Sequence, residues 1–420
     1  MSHLVKSTRH ISQSLWVAVI IIGISSGISF IYWNNNFWNP VFKLVGFGVL
    51  AYVVTHRLRC EMYFKWLVWT LSLYPFISIF TSAVEYGQSP LISIRTLLIN
   101  LIWLFYFVFH KQRLSEKVLI RALLLYALMV VSIQVIQQFS YPLAYFGVDS
   151  PEEMYRKGVS ENVSMRNGLY RFRIGENGYI TVLVLLYYIQ KIKVQLSMNH
   201  IFVISLMIIS VYMTLTRQVM VCTLFVLALS FLQKNKGRHT LLFLAVCAIT
   251  LIGFSYYDEL FGELGESTEN DLNDENIRIF AYVFYIDKIL QDGITFLFGN
   301  GMPGISGPYR KLVDVWQLDY HYWPVDVGVI GFWFYYGFVY IALFAYCNYV
   351  LLIRYRKQVP SYLWLTVLYT LPMSIMIFPF WGQFCYFYWA IILYLYDLHI
   401  RNYQLTNGKN KQILHTNPSL

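Results

Sequence analysis

The stretch VYMTLTRQVMVCTL, residues 211–224, carries one charge, Arg217, within an apolar run that extends from Ile201 to Leu232. A charged side chain at the centre of a membrane helix costs roughly 2.5–3.5 kcal/mol, so the position of Arg217 requires an explanation. As one helix the run would be about 48 Å long, whereas the hydrocarbon core of a bilayer is about 30 Å thick. The stretch therefore predicts two helices that turn at 214–218, with Arg217 near the membrane surface.

The composition of the whole chain agrees with this reading. Hydrophobic residues make up 57% of the 420 residues, charged residues make up 13%, and the mean hydropathy is +0.50. A soluble domain carries about 25% charged residues, so an ordinary soluble protein is excluded. We expect an all-α polytopic membrane protein in which one integral membrane domain covers residues 1–420.

Apolar segments predict about 12 transmembrane helices, each spanning the bilayer with roughly 20 residues. The segments are 15–33, 38–55, 62–84, 91–109, 118–139, 178–189, 200–215, 218–232, 240–257, 326–353, 361–380 and 383–399. With this count, seven regions rich in Lys and Arg fall on one side: the N-terminus, 55–65, 110–121, 190–198, 233–239, 353–358 and the C-terminus. The short loops between them on the other side contain no Lys or Arg, so the positive-inside rule predicts that both termini are cytoplasmic.

Two long loops are predicted on the external side. The first, 140–177, contains MRNGLYRFRIGENGY, in which Arg171 and Arg173 lie close together. The second, 258–325, begins with the acidic stretch DELFGELGESTENDLNDE and continues with NIRIFAYVFYIDKIL. That continuation is amphipathic and too short to cross, so we expect a helix along the interface. Arg278 falls in its first turn, where the helix dipole also favours an anion.

The second loop ends with two further motifs. LFGNGMPGISG, residues 297–307, is rich in glycine and so predicts tight turns. DYHYWPVDVGVIG, residues 319–331, leads into the tenth segment and places His321 and Asp326 at the membrane edge. Because loops of this length between spans usually have a function, we expect the site to lie on this side.

The ordered set of four stretches resembles a known family. RFRIGENGYI, TLTRQVMVCTL, ENIRIFAY followed by FLFGNG, and HYWPVDVGVIGFWFYYG occur in this order over about residues 165–340. Together they resemble the bacterial O-antigen and capsule polysaccharide polymerases of the Wzy type, in the superfamily that also includes the O-antigen ligases. One departure is that the ligases usually have His-Asn before the tenth span, whereas this chain has His321-Tyr322.

The resemblance implies a GT-C-like, metal-independent glycosyltransferase with no cofactor, at the outer face of the bacterial inner membrane. Its substrates would be undecaprenyl-diphosphate-linked oligosaccharide repeat units, polymerised into the O-antigen of lipopolysaccharide or into capsule. The implied partners are membrane lipid and a chain-length regulator protein. Nucleic acid is not implied, since the net charge of +10 comes from the cytoplasmic loops and needs only anionic lipid as a partner.

The residue chemistry is compatible with that reaction. A diphosphate gathers negative charge as it leaves, and guanidinium groups stabilise such charge with a fork that fits phosphate oxygens. We expect Arg217 and Arg278 to bind the diphosphate, with Arg171 and Arg173 as secondary cations. His321 is the candidate general base, and Asp326 either orients it or replaces it.

Structural roles remain open for the same residues. Arg217 can be a cation that reaches the membrane surface or pairs with a carboxylate, and Arg278 can be a solvated charge on an amphipathic helix. His321 can be a hydrogen-bonded residue of the interface, and Arg171 and Arg173 can pair with Glu161 or Glu176.

Two other functions also remain open: an O-antigen ligase that uses the lipid A core as acceptor, and a non-enzymatic flippase or transporter of lipid-linked sugars. A flippase is expected to carry charges along a cavity through several spans. The spans of this chain are nearly uncharged and its candidate site cations lie toward the predicted outer face, which favours an enzyme that acts there over a flippase.

Overall fold

The computed structural model describes residues 2–24, 35–56, 61–140, 163–166, 169–172, 178–232 and 277–416, with side chains for 13–24, 41–56, 61–140, 169, 178–232 and 277–407. The predicted ninth segment, 240–257, the acidic stretch 258–275 and Arg173 lie outside these residues.

The described part of the chain is helical apart from one pair of strands. The helices are α1 (Ser2–Ile24), α2 (Asn35–Thr55), α3 (Lys65–Leu73), α4 (Ser78–Tyr86), α5 (Pro90–Leu97), α6 (Phe105–Gln112), α7 (Glu116–Ser140), α8 (Tyr179–Val194), α9 (Met198–Met213), α10 (Arg217–Leu232), α11 (Ile277–Leu290), α12 (Gly293–Phe298), α13 (Pro308–Asp314), α14 (Gly328–Tyr349), α15 (Ser361–Met373) and α16 (Gly382–Thr416). Shorter 3₁₀ and π turns join several of them. Each predicted apolar segment that has described residues overlaps one or more helices, although 361–380 extends beyond the end of α15 at Met373.

The helical character predicted from composition is confirmed, and the described helices include some that suit a membrane protein. Four continuous helical stretches in the described residues are long and apolar enough to cross a membrane: Lys65–Tyr86, Pro90–Gln112, Glu116–Ser140 and Pro324–Arg354. Shorter apolar helices include Met198–Met213 and Arg217–Phe231.

One element departs from the all-α prediction. Strands β1 (Val163–Arg166) and β2 (Leu169–Phe172) form an antiparallel pair in the predicted first external loop, with Ser164 opposite Arg171. Strand β1, with the sequence VSMR, alternates apolar and polar residues, which suits a strand, whereas the whole segment was predicted only as a loop.

The turn around Arg217 is confirmed. Helix α9 ends at Met213 and α10 begins at Arg217, so the apolar run from Ile201 to Leu232 is two helices. Leu215 adopts a left-handed backbone conformation (φ 46°) between them. The hydroxyl of Thr214 donates to the carbonyl of Val211 at 2.7 Å, which occupies one of the acceptors left at the end of α9.

The last long helix, α16, lies at the centre of the fold. Its side chains from Phe384 to Asp397 are buried on every face, and it packs against α6 and residues 98–104. A helix that is apolar all round is buried in this way because no face of it gains from exposure.

A buried polar cluster joins α16 to α6 and to the segment that precedes α3. The Nε2 of His110 lies 2.9 Å from the Oδ2 of Asp397, and both side chains are fully buried. The same carboxylate accepts hydrogen bonds from the Tyr106 hydroxyl and from the backbone N–H of Tyr63. These residues lie at the helix ends that the charge pattern assigns to the cytoplasm.

Candidate functional site

Residues Pro372–Ile375, at the end of α15, are a meeting point for distant parts of the chain. The Gln218 side chain donates to the carbonyls of Pro372 and Met373 at 3.0 and 3.1 Å. The backbone N–H of Val329 donates to the Ser374 carbonyl at 3.0 Å, and the Tyr282 hydroxyl donates to the Ile375 carbonyl. We refer to Pro372–Ile375 and these donors as the Pro372 junction.

The contacts occupy carbonyls that a helix leaves without intrahelical partners at its C-terminus. The donors come from α10, α11 and the start of α14, which are far apart in sequence. The junction therefore fixes the beginnings of these helices relative to one another.

Two glycines of the DYHYWPVDVGVIG stretch, Gly328 and Gly331, allow close backbone contacts at the start of α14, and Gly328 makes its contact at the junction. Gly328 has φ 49°, and a Cβ there would overlap the carbonyls of Ser374 and Ile375. A Cβ on Gly331 would overlap the carbonyl of Pro324. Gly328 is thus required by backbone packing at the junction, and Gly331 by packing against the turn that precedes α14.

Several helices begin here. Helix α10 begins at Arg217, beside Gln218, and α14 begins at Gly328. Helix α8 begins after Gly178, where a Cβ would lie 2.9 Å from a methyl carbon of Val219, in the first turn of α10. Helix N-termini present backbone N–H groups and a partial positive charge, so this end of the fold favours an anion.

Three of the predicted site residues lie on segments that contact the Pro372 junction. Arg217 is half-buried and is the first residue of α10, and Arg278 is exposed in the first turn of α11. Asp326 is exposed in the 3₁₀ turn Pro324–Val327 that leads to Gly328. Burial raises the pKa of the Tyr282 phenol, and the nearby Arg278 charge opposes this shift, in agreement with their spacing of one helical turn.

The other predicted residues are placed differently. His321 is exposed and has a left-handed backbone conformation (φ 59°), between two tyrosines that line a cleft described next. Arg171 lies in β2, but its side chain is outside the described set, as is all of Arg173. No group of three or more His, Cys, Asp or Glu residues in the described ranges is arranged to hold a metal ion.

A cavity of about 600 Å³ opens beside α11, and we refer to it as the aromatic cleft. It is lined by Glu85, Tyr86, Phe284, Lys288, Gln291, Asp292, Thr295, Asn300, Leu312, Trp316, Tyr320 and Tyr322. Its size lies within the range of about 300–1,000 Å³ that is usual for small-molecule sites. The lining combines aromatic rings with a few polar groups, which is also typical of such sites.

The predicted glycine-rich turn builds one wall of this cleft. Helix α14 is broken at Gly337 (φ 78°), so carbonyls in the preceding turn lose their helical donors. The backbone N–H groups of Asn300 and Gly301 donate to the carbonyls of Phe334 and Tyr335, both at 2.8 Å. The FLFGNG motif therefore docks onto a helix break, and this contact orients Asn300 toward the cleft.

Helix α11 separates the cleft from the Pro372 junction. Tyr282 faces the junction, whereas Phe284 and Lys288 line the cleft. The Tyr285 hydroxyl donates to the Tyr322 carbonyl at 2.9 Å and so fixes the segment that carries His321.

Pro372–Ile375 and the aromatic cleft were not predicted from the sequence. Pro372, inside an apolar segment, was the one available signal, because proline ends or kinks a helix. Gln218 and Tyr86 carry no sequence signal of their own, since their roles depend on contacts with distant residues.

No family model matches this chain, and neither the curated proteins nor the solved structures include one that is similar to it. The residues of the junction and the cleft are therefore the basis for assigning a function.

Proposed function

We propose that this protein is a polysaccharide polymerase that joins oligosaccharide repeat units linked to undecaprenyl diphosphate. The single observation that carries the proposal is the Pro372 junction. It gathers the segments that carry Arg217, Arg278 and Asp326, together with several helix N-termini, at one end of the fold.

The junction suits a diphosphate for electrostatic reasons. Arginines provide permanent charge and paired donors, and helix N-termini add backbone N–H groups. The carbonyls of Pro372–Ile375 would repel an anion, but the junction donors already occupy them. In this proposal Arg217 and Arg278 bind the diphosphate oxygens, and Arg171 and Arg173 supply further positive charge from the β1–β2 segment.

The proposed reaction is a substitution at the anomeric carbon of the donor chain. A hydroxyl at the non-reducing end of the acceptor attacks this carbon, the bond from carbon to the diphosphate oxygen breaks, and undecaprenyl diphosphate leaves with the electron pair. The hydroxyl proton passes to a general base, which is His321 or Asp326. Arginine charge stabilises the leaving group in the transition state without a metal ion.

The membrane arrangement follows as part of the proposal. About 12 spans in a GT-C-like fold, with both termini in the cytoplasm, would place the junction and the cleft at the outer face of the inner membrane. The ends that form the buried His110–Asp397 cluster would then face the cytoplasm. Membrane lipid and a chain-length regulator protein are the proposed partners.

The test is the length of the surface glycan in a Gram-negative host. Deletion of the gene should leave the glycan at one repeat unit on the lipid A core, seen as a single band on a gel. An unchanged ladder would contradict the proposal, and loss of even the single unit would indicate a ligase or a flippase. Restoration of the ladder by the intact gene on a plasmid is the control.

A further inference from the structure

We infer that the aromatic cleft binds the phosphate-free, non-reducing sugars of the acceptor oligosaccharide, separately from the diphosphate site at the Pro372 junction. The identification of the ligand as the acceptor substrate rests on the proposed function. Its identification as a saccharide follows from the residues of the cleft.

The aromatic rings of the cleft present open faces. The rings of Tyr320 and Tyr322 are stacked with centroids 5.8 Å apart, and Tyr322 contacts Phe284 at 5.2 Å. Tyr320 is 56% exposed beside these neighbours, so part of its surface is accessible to a ligand. Sugar rings carry an apolar C–H face and a rim of hydroxyls, so an exposed aromatic face beside polar groups matches both of their surfaces.

The polar groups of the cleft are held in fixed positions. The Asp292 carboxylate accepts from the backbone N–H groups of Ile294 and Thr295 at 3.1 and 2.9 Å, which caps α12. The Asn300 side-chain oxygen accepts from the Tyr86 hydroxyl at 2.9 Å. Asn300 is itself buried and its amide nitrogen donates to the Phe334 carbonyl, so it holds the Tyr86 side chain in place. The half-buried Asp292 carboxylate can accept from a sugar hydroxyl with little further loss of side-chain entropy.

The cleft floor is also rigid. Tyr86 stacks on Tyr309 with ring centroids 4.0 Å apart, and the Tyr309 hydroxyl donates to the Gly301 carbonyl at 2.9 Å. Burial raises the pKa of the Tyr309 phenol, so this group remains a neutral hydrogen-bond donor at physiological pH. Walls held by such contacts form a cavity without a ligand, as is usual for small-molecule sites.

The charge of the lining distinguishes the cleft from a phosphate site. Glu85 and Asp292 contribute two carboxylates, and Lys288 contributes one ammonium group. A diphosphate in the cleft would be repelled by this balance, whereas sugar hydroxyls donate readily to carboxylates. The donor's diphosphate therefore belongs at the arginines, and the phosphate-free end of the other substrate belongs in the cleft.

The two sites share one helix. Arg278 and Tyr282 lie toward the junction end of α11, and Phe284 and Lys288 lie in the cleft. An acceptor in the cleft is thus beside the helix that carries a diphosphate-binding arginine, as transfer between the two substrates requires.

The experiment measures binding of a saccharide that contains no phosphate. The probe is the host's repeat-unit oligosaccharide, released from its lipid-linked form by mild acid and dephosphorylated, titrated into the purified full-length protein in lipid nanodiscs. Wild-type protein should bind it, and Tyr320→Ala and Glu85→Gln should each weaken binding about tenfold or more. Tyr349→Ala is the matched control, because Tyr349 is 54% exposed at the far end of α14, outside the cleft.

The result that overturns the inference is either no binding by the wild-type protein, or equal binding by the wild type, Tyr320→Ala and Glu85→Gln at matched thermal stability. Arg217→Lys should leave this binding unchanged, since the probe carries no diphosphate. A loss of binding confined to the cleft variants supports the cleft even if gene deletion leaves the glycan ladder unchanged. No binding together with a ladder that stops at one unit would overturn the cleft alone.

Discussion

The side-chain amide of Gln218 donates a hydrogen bond of 3.0 Å to the carbonyl of Pro372, and so ties the first turn of α10 to the last turn of α15. Arg217 is the preceding residue and the first of α10. The position of the arginine is therefore set by a contact between two helices that are far apart in the sequence.

Loss of this contact should impair the site more than the fold. Gln218→Ala removes hydrogen bonds worth about 0.5–1.5 kcal/mol each, so the protein should still accumulate in the membrane. Because the first turn of α10 is no longer held against α15, Arg217 is less precisely positioned. We therefore expect a shorter glycan ladder when the samples contain equal amounts of the membrane protein. Gln112→Ala, at an exposed position at the end of α6, is the control and should give a normal ladder. A normal ladder from Gln218→Ala would contradict the positioning role.

The break in α14 at Gly337 should be intolerant of a side chain. Gly337→Ala places a Cβ against the Leu297 carbonyl at φ 78° and ψ 171°, a conformation essentially restricted to glycine, where the backbone strain alone costs about 1–3 kcal/mol. We expect a lower midpoint of thermal unfolding for the purified protein. Gly293→Ala is the matched control, because a Cβ at that position meets open space. Equal midpoints for the two variants would show that the docking of FLFGNG does not constrain the helix.

The buried cluster around Asp397 should contribute to stability rather than to the reaction. Asp397→Ala leaves His110 and the Tyr106 hydroxyl without their shared acceptor, and each buried polar group left unsatisfied costs about 1–3 kcal/mol. We expect a strongly lowered midpoint of thermal unfolding. The exposed Asp287→Asn should change stability by less than about 0.5 kcal/mol. If the two variants unfold at the same temperature, the cluster is not a stabilising element.

Chemical labelling can show on which side of the membrane each loop lies. In a background without the five native cysteines, Ser306→Cys should react with an impermeant maleimide added to spheroplasts, which expose the outer face of the inner membrane. Lys357→Cys should react only after that membrane is permeabilised. Both positions are exposed, so access to the reagent depends on the side of the membrane. The reverse pattern would invert the topology and place the junction and the cleft in the cytoplasm.

The sequence was sufficient for the elements that depend on local patterns. Apolar runs predicted the helices, and the length of one run predicted the turn that begins α10 at Arg217. The amphipathic stretch at 276–290 predicted α11 within one residue.

Features that depend on distant partners could not be predicted. Nothing in the apolar run around Gly337 indicates that a turn from another part of the chain completes its backbone hydrogen bonds. Three features depend on residues that are far apart in sequence. They are the pairing of His110 with Asp397, the contacts of several helix N-termini near Pro372, and the cleft between α11 and Tyr86. Gly328 and Gly301 lie in two of the four stretches, and only the tertiary contacts show which backbone each glycine packs against.

The central claim is that Arg217 and Arg278 bind a diphosphate through paired donors, and the most direct measurement is the ladder length of Arg217→Lys and Arg278→Lys at equal amounts of membrane protein. Lysine keeps the charge but cannot reproduce the guanidinium fork. Loss of one such group from a transition state typically costs about 10²–10³ in rate, so both variants should give little or no ladder. Arg310→Lys is the control, because Arg310 forms a partly exposed ion pair with Asp314 at 2.6 Å that lysine can maintain, and it should give a full ladder. Ladders of wild-type length from Arg217→Lys and Arg278→Lys would contradict the account.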